Sequence, residues 1–145
     1  MSKSLPVRIV IGTWDRLRDD AYRIRHEVFV VEQGVPAEIE LDDEDAVSVH
    51  AVAYAPDSTP VATGRLLPDG HIGRMAVLKS ARGTGIGGEV LEALITQAQG
   101  DGYRMVVLHA QSHARGFYEA HGFVAEGEEF IEADILHIAM SRALV

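Results

Sequence analysis

Cysteine is absent from this 145-residue chain, which excludes disulfide bonds, thiolate nucleophiles and thiolate metal ligands. Long apolar runs are absent too, since no segment approaches the ~20 apolar residues of a membrane-spanning helix. The N-terminal stretch MSKSLPVRIVIG has only a short apolar run, interrupted by Arg8, and no small-residue cleavage site of a secretory signal. We therefore expect a cytoplasmic protein with no membrane partner.

Positive charge is scarce. Lysine and arginine together number 13 against 22 aspartates and glutamates, which gives a formal net charge of −9 at pH 7. This balance repels phosphate and no basic cluster overrides it, so the sequence predicts no nucleic-acid partner. The acidic excess peaks in EIELDDED, which is either a solvated loop or a surface that attracts a cationic amine. Its carboxylates belong to Glu38, Glu40, Asp42, Asp43, Glu44 and Asp45.

The remaining composition is that of one folded domain spanning residues 1–145. Hydrophobic residues make up 47% of the chain and charged residues 24%, which are ordinary proportions for a globular protein. A chain of this length buries roughly 68–70% of its unfolded surface and needs no cross-links to fold. No repeat, linker or low-complexity segment divides it.

Hydrophobic periodicity predicts an α/β order of elements. The segment PVRIVIG alternates as a strand, and a helix capped by Asp15 follows it. Three short strands, HAVAYA, PVATGRLLP and HIGRMAVL, then form an antiparallel meander. Within the third strand Arg74 alternates with Met75, and we expect the arginine to form a salt bridge. The apolar stripe of the first helix consists of Leu17, Ala21, Ile24 and Val28.

The second half continues this alternation. A longer helix ends at Gly100 and Gly102, and the run YRMVVLHA predicts a central strand covered on both faces. Ser112 is expected to cap the short helix HARGFYEAH. Two strands, in FVAEGEEF and LHIAMSRAL, complete an α/β sandwich with one mixed sheet. The stripe of the longer helix consists of Ile86, Val90, Leu91, Leu94, Ile95 and Ala98.

Four glycines fall within six residues of SARGTGIGGEV, directly before the longer helix. Gly83, Gly85 and Gly88 fit the dinucleotide motif G-x-G-x-x-G. That motif needs the first strand–helix turn and an acid after the next strand, whereas this turn follows a meander and Asp101 precedes the next strand. The phosphate loop of nucleotide hydrolases is excluded because no lysine follows the glycines. We favour an anion cradle, in which Arg82 and the unpaired N–H groups of the first helical turn bind phosphate.

A family resemblance rests on these same residues. Arg82, Gly85 and Gly87 match [RQ]-x-x-G-x-[GA], so that RMAVLKSARGTGIGGEVLEAL resembles the acyl-CoA-binding motif of the GNAT superfamily of N-acyltransferases. FYEAHGF (117–123) resembles the second motif of that superfamily, one helix and one strand downstream. RIRHEVFVVEQGVPAEIELDDED, LHAQSHARGFYEAHGF and ILHIAM are similar to its ElaA- and YjcF-like bacterial branch, and the resemblance spans essentially the whole chain. An asparagine often stands near the end of the strand before the second motif, where this chain has HAQ (109–111).

The resemblance implies the GNAT fold, a mixed and mostly antiparallel sheet flanked by helices, with acyl-CoA in a cleft between two splayed parallel strands. It implies direct transfer of an acetyl group from acetyl-CoA to a primary amine of a small molecule, peptide or protein, without a metal. The pantetheine arm would pair with the strand before the glycines, and the pyrophosphate would lie on the glycine-rich turn. The implied cofactor residues are Met75, Ala76, Val77, Arg82, Gly83, Thr84, Gly85, Ile86, Gly87, Gly88, Gln111 and Phe117.

This transfer raises two proton problems. An alkylamine with a pKa of ~10.4 must lose a proton before it attacks, and a thiolate departs faster when it meets a donor. The resemblance assigns the donor to Tyr118; the alternative is an aromatic residue on the apolar face of a short helix. For the base we favour Glu32, because a carboxylate beside Phe29 and two valines is expected to have a raised pKa. A solvated acid at a helix end is the alternative.

Histidines are the other candidates for the base. His109 and His113 are more often structural or surface residues at such positions, and their H-x-x-x-H spacing does not predict a metal site because they straddle a strand and a helix without a third ligand. His137 lies in ILHIAM, which resembles a segment of the bacterial branch, and its role is open.

Three functions follow from these observations. The first is an acetyl-CoA-dependent N-acetyltransferase. The second is a GNAT-fold protein that binds acyl-CoA as a sensor or interaction module without efficient catalysis, kept open because no base is unambiguous. The third, a nucleotide dehydrogenase, would bind NAD in competition with CoA, and we expect no such binding. The identity of the amine is open, as is the oligomeric state, for which a homodimer is one option.

Overall fold

The computed structural model describes residues 7–37 and 42–144. Its strands are β1 (Arg8–Gly12), β2 (Val49–Tyr54), β3 (Pro60–Leu66), β4 (Ile72–Val77), β5 (Met105–Gln111), β6 (Val124–Glu132) and β7 (Ile135–Ala143). Its helices are α1 (Trp14–Arg25), α2 (Ile86–Gly100) and α3 (Arg115–Ala120), with a π-helical segment (His26–Glu32) continuing α1. Single 3-10 turns lie at Asp43–Val47, Lys79–Ala81 and Ser112–Ala114. None of the described helices is long and apolar enough to cross a membrane.

The strands form two antiparallel ladders that meet side by side. The first has the order β1-β2-β3-β4 and contains the predicted meander, and the second has the order β5-β7-β6. They join where β4 and β5 run parallel, through a bridge between His71 and Val107 and a hydrogen bond from the Val107 N–H to the Gly70 carbonyl, 3.1 Å long. Past this bridge the described strands β4 and β5 share no ladder. The predicted mixed, mostly antiparallel sheet with a splayed parallel pair is confirmed.

Helices cover both faces of the first ladder because side chains alternate along its strands. Ala51 and Ala53 of β2 pack in the cluster that contains the α2 stripe, whereas Val52 between them packs with the α1 stripe. All six residues of the predicted α2 stripe are buried, as are all four of the α1 stripe. The core therefore lies on both sides of the meander.

Both predicted helix caps are wrong. Thr13 stands at the N-cap of α1, without a side-chain hydrogen bond, and Asp15 lies in the first turn instead, where its carboxylate interacts favourably with the helix dipole. Ser112 begins a 3-10 turn, and α3 starts after Ala114. Within the described part of the chain the buried Ser112 hydroxyl has no hydrogen-bond partner.

β5 is covered on one face, not on the two that its apolar run predicted. Val106, Leu108 and Ala110 are buried in the α2 cluster. Met105 is half exposed at 50%, and His109 is exposed as well. The opposite face of β5 thus carries the side chains that a ligand can reach.

A β-bulge separates Arg74 from the regular register of β4. The pairing with β3 shifts between Thr63 and Arg65, and Arg74 adopts a φ of 50°. A Cβ at Gly64 would collide with Met75 Sδ, so β3 carries a glycine opposite the bulge. Arg74 and Met75 still contact different partners, because Met75 packs in the α2 cluster whereas Arg74 binds Asp42; the bulge adds one residue to β4 and bends the strand.

Candidate active site

The glycine-rich turn leaves the start of α2 open. Gly83 and Gly85 have φ values of 79° and 85°, in the left-handed region that favours glycine. Gly85 stands at the N-cap of α2, and no side chain caps the helix there. The first N–H groups of this 15-residue helix therefore have no partner from a capping side chain, and they bear the positive end of the helix dipole.

The next two glycines bring the helix start into close contact with its neighbours. A Cβ at Gly87 would lie 3.2 Å from Val77 Cγ2 on β4, and a Cβ at Gly88 would lie 2.9 Å from His121 Nε2. The Phe117 ring lies near both positions, 3.7 Å from the first and 4.0 Å from the second. A glycine-rich turn with no capping side chain, open N–H groups and an adjacent arginine fits the diphosphate of an acyl-CoA.

Not every predicted cofactor residue offers its side chain. Ala76 and Ile86 are buried in the core, so only their backbone groups can face a ligand. The Thr84 hydroxyl donates to the Ala81 carbonyl at 2.5 Å and so shapes the turn.

Arg82 and Glu32, the predicted diphosphate ligand and the predicted base, form one ion pair. Both terminal nitrogens of Arg82 donate to the Glu32 carboxylate at 2.6 Å, and its Nε donates to the Val77 carbonyl at 3.0 Å. The hydrogen bonds from Arg82 lower the pKa of Glu32. The expected raised pKa is therefore wrong, because the flanking valines do not bury this carboxylate, whose side chain is 39% exposed.

Gln111 connects the end of β5 to the π-helical segment. Its Nε2 donates to Gln33 Oε1 at 2.9 Å, and Gln33 Nε2 donates in return at 3.3 Å. His113 Nε2 lies 2.7 Å from Gln111 Oε1. Because Glu32 binds Arg82 and Gln33 binds Gln111, the end of the π-helical segment contacts both sides of the cleft where β4 and β5 have separated.

Tyr118 is buried at the base of the short helix α3. Its side chain is 9% exposed, and its ring packs edge-on to Phe117 and Phe123 with centroids 5.0 and 5.9 Å away. Within the described residues no hydrogen bond reaches its hydroxyl. Burial raises the pKa of Tyr118 to about 12, so the phenol keeps its proton at physiological pH and can donate it in a hydrogen bond.

A cluster of rings lies on the uncovered face of the second ladder, which the sequence did not predict. His109 Nδ1 lies 3.0 Å from Glu132 Oε1 on β6, and the Phe130 ring stands edge-on to His109 at 5.1 Å. His137 of β7 stacks on Phe130 at 6.0 Å. Alternation along β5 places His109 on the outer face of the strand. Its contact with Glu132, 23 residues further along the chain, exists only because β6 pairs with β7.

Asp42 and Asp45 of the acidic segment form an ion-pair network with three arginines, whereas Asp43 and Glu44 between them are exposed; Glu38 and Glu40 lie outside the described residues. Asp45 is buried and binds Arg25 at 2.7 Å and Arg65 at 2.8 Å. Asp42 binds Arg65 at 2.7 Å and Arg74 at 3.1 Å, which confirms the expected salt bridge of Arg74. Burial acts to raise the pKa of Asp45, but the two arginines outweigh it and lower the pKa. Asp45 therefore belongs neither to a solvated loop nor to an open site for an amine. Asp42, by contrast, has a side chain that is 31% exposed and lines a pocket of about 370 Å³, so a surface that attracts an amine stays a prediction there.

Comparison with known proteins relates the chain to acyltransferases over most of its length. The sequence profile of the acetyltransferase (GNAT) domain matches residues 18–144. N-acetyltransferase YjcF of Bacillus subtilis is 39% identical over 140 residues, which cover 94% of this chain and 99% of the relative. An acyl-CoA N-acyltransferase from Pseudomonas aeruginosa has a similar structure, with a TM-score of 0.84, 34% identity and coverage of 95% and 100% of the two chains. Escherichia coli ElaA gives a TM-score of 0.82, 27% identity and coverage of 94% and 99%.

Proposed function

The chain belongs to the GNAT family of acetyltransferases, and from that premise we propose that it transfers an acetyl group from acetyl-CoA directly to a primary amine. Family membership makes it an acyltransferase of the N-acetyltransferase kind. The observation that carries the specific proposal is the glycine-rich turn, which follows Arg82 in the chain and leaves an uncapped helix start beside Phe117. The amine is a class, either a small molecule or a peptide or protein amine. A cytoplasmic location and a homodimer stay predictions.

The turn supplies most of the binding energy for the diphosphate. Backbone N–H groups of Ile86, Gly87 and Gly88, together with Arg82, would donate to it, at about 1.5–3 kcal/mol for each hydrogen bond to a charged group. The helix dipole adds about 0.3–1 kcal/mol at an exposed site. Glu32 competes for the same guanidinium, so binding requires Arg82 to exchange or share its partner. When bound, acetyl-CoA supplies the thioester carbonyl that the amine attacks.

The amine must arrive without its extra proton. The pKa of an alkylammonium, ~10.4, lies about 3.4 units above pH 7, so removing its proton at that pH costs roughly 4.6 kcal/mol. The sequence predicts Glu32 as the acceptor of this proton, and that role stays a prediction. The ion pair with Arg82 opposes it, because a carboxylate with a lowered pKa is a weaker base.

Tyr118 would stabilise the departing sulfur by hydrogen bonding. Burial raises its pKa to about 12, whereas a thiol has a pKa of ~8.5. Full proton transfer from the phenol to a thiolate would be uphill by about 3.5 pKa units, or roughly 4.8 kcal/mol. A hydrogen bond needs no such transfer, and the Tyr118 hydroxyl is without another partner among the described residues.

Thiol release from acetyl-CoA over a panel of amines tests this function. We expect release that depends on the amine, and a loss of about 10²-fold in kcat in Tyr118→Phe. If CoA binds but no amine accelerates thiol release and Tyr118→Phe changes nothing, the enzyme proposal fails and the acyl-CoA sensor takes its place. NAD that displaces CoA would instead support the dehydrogenase.

A further inference from the structure

We propose that His109 is the general base that accepts the proton of the amine, and that Glu132 positions it. This inference rests on the proposed function, because it names a residue for the same reaction. It replaces Glu32, whose carboxylate is committed to Arg82 at 2.6 Å.

His109 lies at the point where the two parallel strands separate. The last bridge between them joins His71 to Val107, and His109 follows Val107 by two residues on the same face of β5. Its neighbours Leu108 and Ala110 point into the core, so the imidazole stands on the opposite, open face with its side chain 43% exposed. A group at this position borders the cleft in which the thioester is expected.

The hydrogen bond to Glu132 fixes which ring nitrogen can act as the base. Nδ1 lies 3.0 Å from the carboxylate and donates to it, which leaves the lone pair on Nε2 in the neutral ring. Histidine is the commonest general base among side chains. A carboxylate on the other nitrogen orients the imidazole and stabilises the imidazolium that forms.

The surrounding side chains restrict the ring further. The ring of Phe130 stands edge-on to it at 5.1 Å and that of His71 at 6.0 Å. The titratable groups near His109 are Glu132 from β6, His137 from β7, and His71 with Asp69 from the β3–β4 turn. His137 donates from Nδ1 to the Ile135 carbonyl at 2.7 Å, and its Nε2 lies 3.9 Å from Glu132 Oε2, too far for a hydrogen bond.

These groups account for every proton and electron pair of the acetyl transfer. The ammonium N–H bond breaks and an N–H bond forms at His109 Nε2, giving an imidazolium paired with Glu132. The freed amine then attacks the thioester carbonyl, so that a C–N bond forms and the C–S bond breaks with its electron pair on sulfur. The second proton on nitrogen goes to that sulfur, beside the Tyr118 hydroxyl, and the imidazolium returns its proton to solvent.

The test compares His109→Gln with wild type on two kinds of amine. One is an alkylamine, protonated at pH 7, and the other is methoxyamine, a weakly basic amine that is neutral at that pH. We expect kcat for the alkylamine to fall about 10²- to 10⁴-fold at pH 7 and kcat for methoxyamine to fall less than about tenfold. The loss with the alkylamine should shrink as pH rises, because more of the amine is then neutral. His26→Gln, a histidine change on the π-helical segment, is the matched control.

Glu132→Gln supplies a second readout that a merely structural role would not give. The acidic limb of its pH–rate profile should move to lower pH, because the imidazolium loses its counter-charge, and Glu132→Asp should recover part of the wild-type profile. An unmoved limb in Glu132→Gln would contradict the positioning role.

Three results would overturn the assignment of His109. The first is a wild-type kcat in His109→Gln with both amines. The second is an equal loss of kcat in His109→Gln with both amines. The third is a loss of kcat confined to the alkylamine that occurs in Glu32→Gln and not in His109→Gln. If the wild type releases no thiol with any amine, the proposed function itself fails and the inference falls with it, a result distinct from the other three.

Discussion

Replacing Glu32 by glutamine is expected to tighten the binding of CoA. Glu32 holds both terminal nitrogens of Arg82 at 2.6 Å, and the two side chains are 39% and 40% exposed. An ion pair this exposed contributes about 0.2–1 kcal/mol, and an incoming diphosphate has to replace it. Because the variant lacks that competitor, the Kd for CoA should fall about 1.4- to 5-fold. The loss of one negative charge beside the diphosphate acts in the same direction.

Calorimetric titration at low ionic strength measures this change. Pantetheine, which lacks the diphosphate, should bind the variant and the wild type equally. Glu27→Gln is the matched control, because Glu27 lines the same groove of about 590 Å³ as Glu32 and its replacement changes the charge by the same amount. The free energy of unfolding should fall by no more than about 1 kcal/mol in Glu32→Gln, since an exposed pair stabilises the fold little.

Two results would refute this reasoning. If Glu32→Gln weakens CoA binding, the carboxylate holds Arg82 in place for the diphosphate instead of competing with it. If Glu27→Gln tightens CoA binding as much as Glu32→Gln does, the effect comes from net charge and not from the ion pair.

Three further variants test other parts of the structure. Tyr118→Phe should lower kcat while leaving the melting temperature unchanged or raised, because the hydroxyl that it removes has no hydrogen bond in the described structure; a clear loss of stability would contradict this. Gly88→Ala should lower the free energy of unfolding by about 1–3 kcal/mol, because the new methyl group would lie 2.9 Å from His121 Nε2. Gly116→Ala, with no atom within 4 Å of the new methyl, should cost none, so equal losses in denaturant titrations would refute the packing argument. Asp45 has a lowered pKa in the folded state, so its contribution to stability is present above the unfolded pKa of ~3.9 and is lost as pH falls through the folded value. Arg25→Met should destabilise the protein by about 3–5 kcal/mol at pH 7, with a smaller loss at acid pH; equal losses at both pH values would contradict the ion-pair account.

Local periodicity explains why much of the fold could be predicted from the sequence. The α2 stripe recurs at the helical period, and all its members, from Ile86 to Ala98, are buried. The glycine-rich turn is also local, because Gly83 and Gly85 need left-handed backbone whatever surrounds them. By contrast, the bulge at Arg74 depends on β3, where Gly64 leaves room for the Met75 side chain, and alternation within one strand cannot reveal that.

Long-range pairing explains why the candidate site was predicted only in part. Glu32 and Arg82 lie 50 residues apart, and local sequence placed the carboxylate beside valines without showing the guanidinium that lowers its pKa. Asp45 looked like one acid among six in a polar segment, whereas it is buried against Arg25 and Arg65. Charges in a polar stretch indicate exposure only when no partner reaches them from elsewhere in the fold.

The most direct test of the central claim is to follow carbon-13 in the acetyl group of acetyl-CoA while free thiol is measured in the same reaction. The account predicts one labelled acetylamide for each thiol released, formed at a rate that depends on the amine and falls in His109→Gln when the amine arrives protonated. Binding of acetyl-CoA without any labelled amide, or thiol release that no amine accelerates, would contradict it.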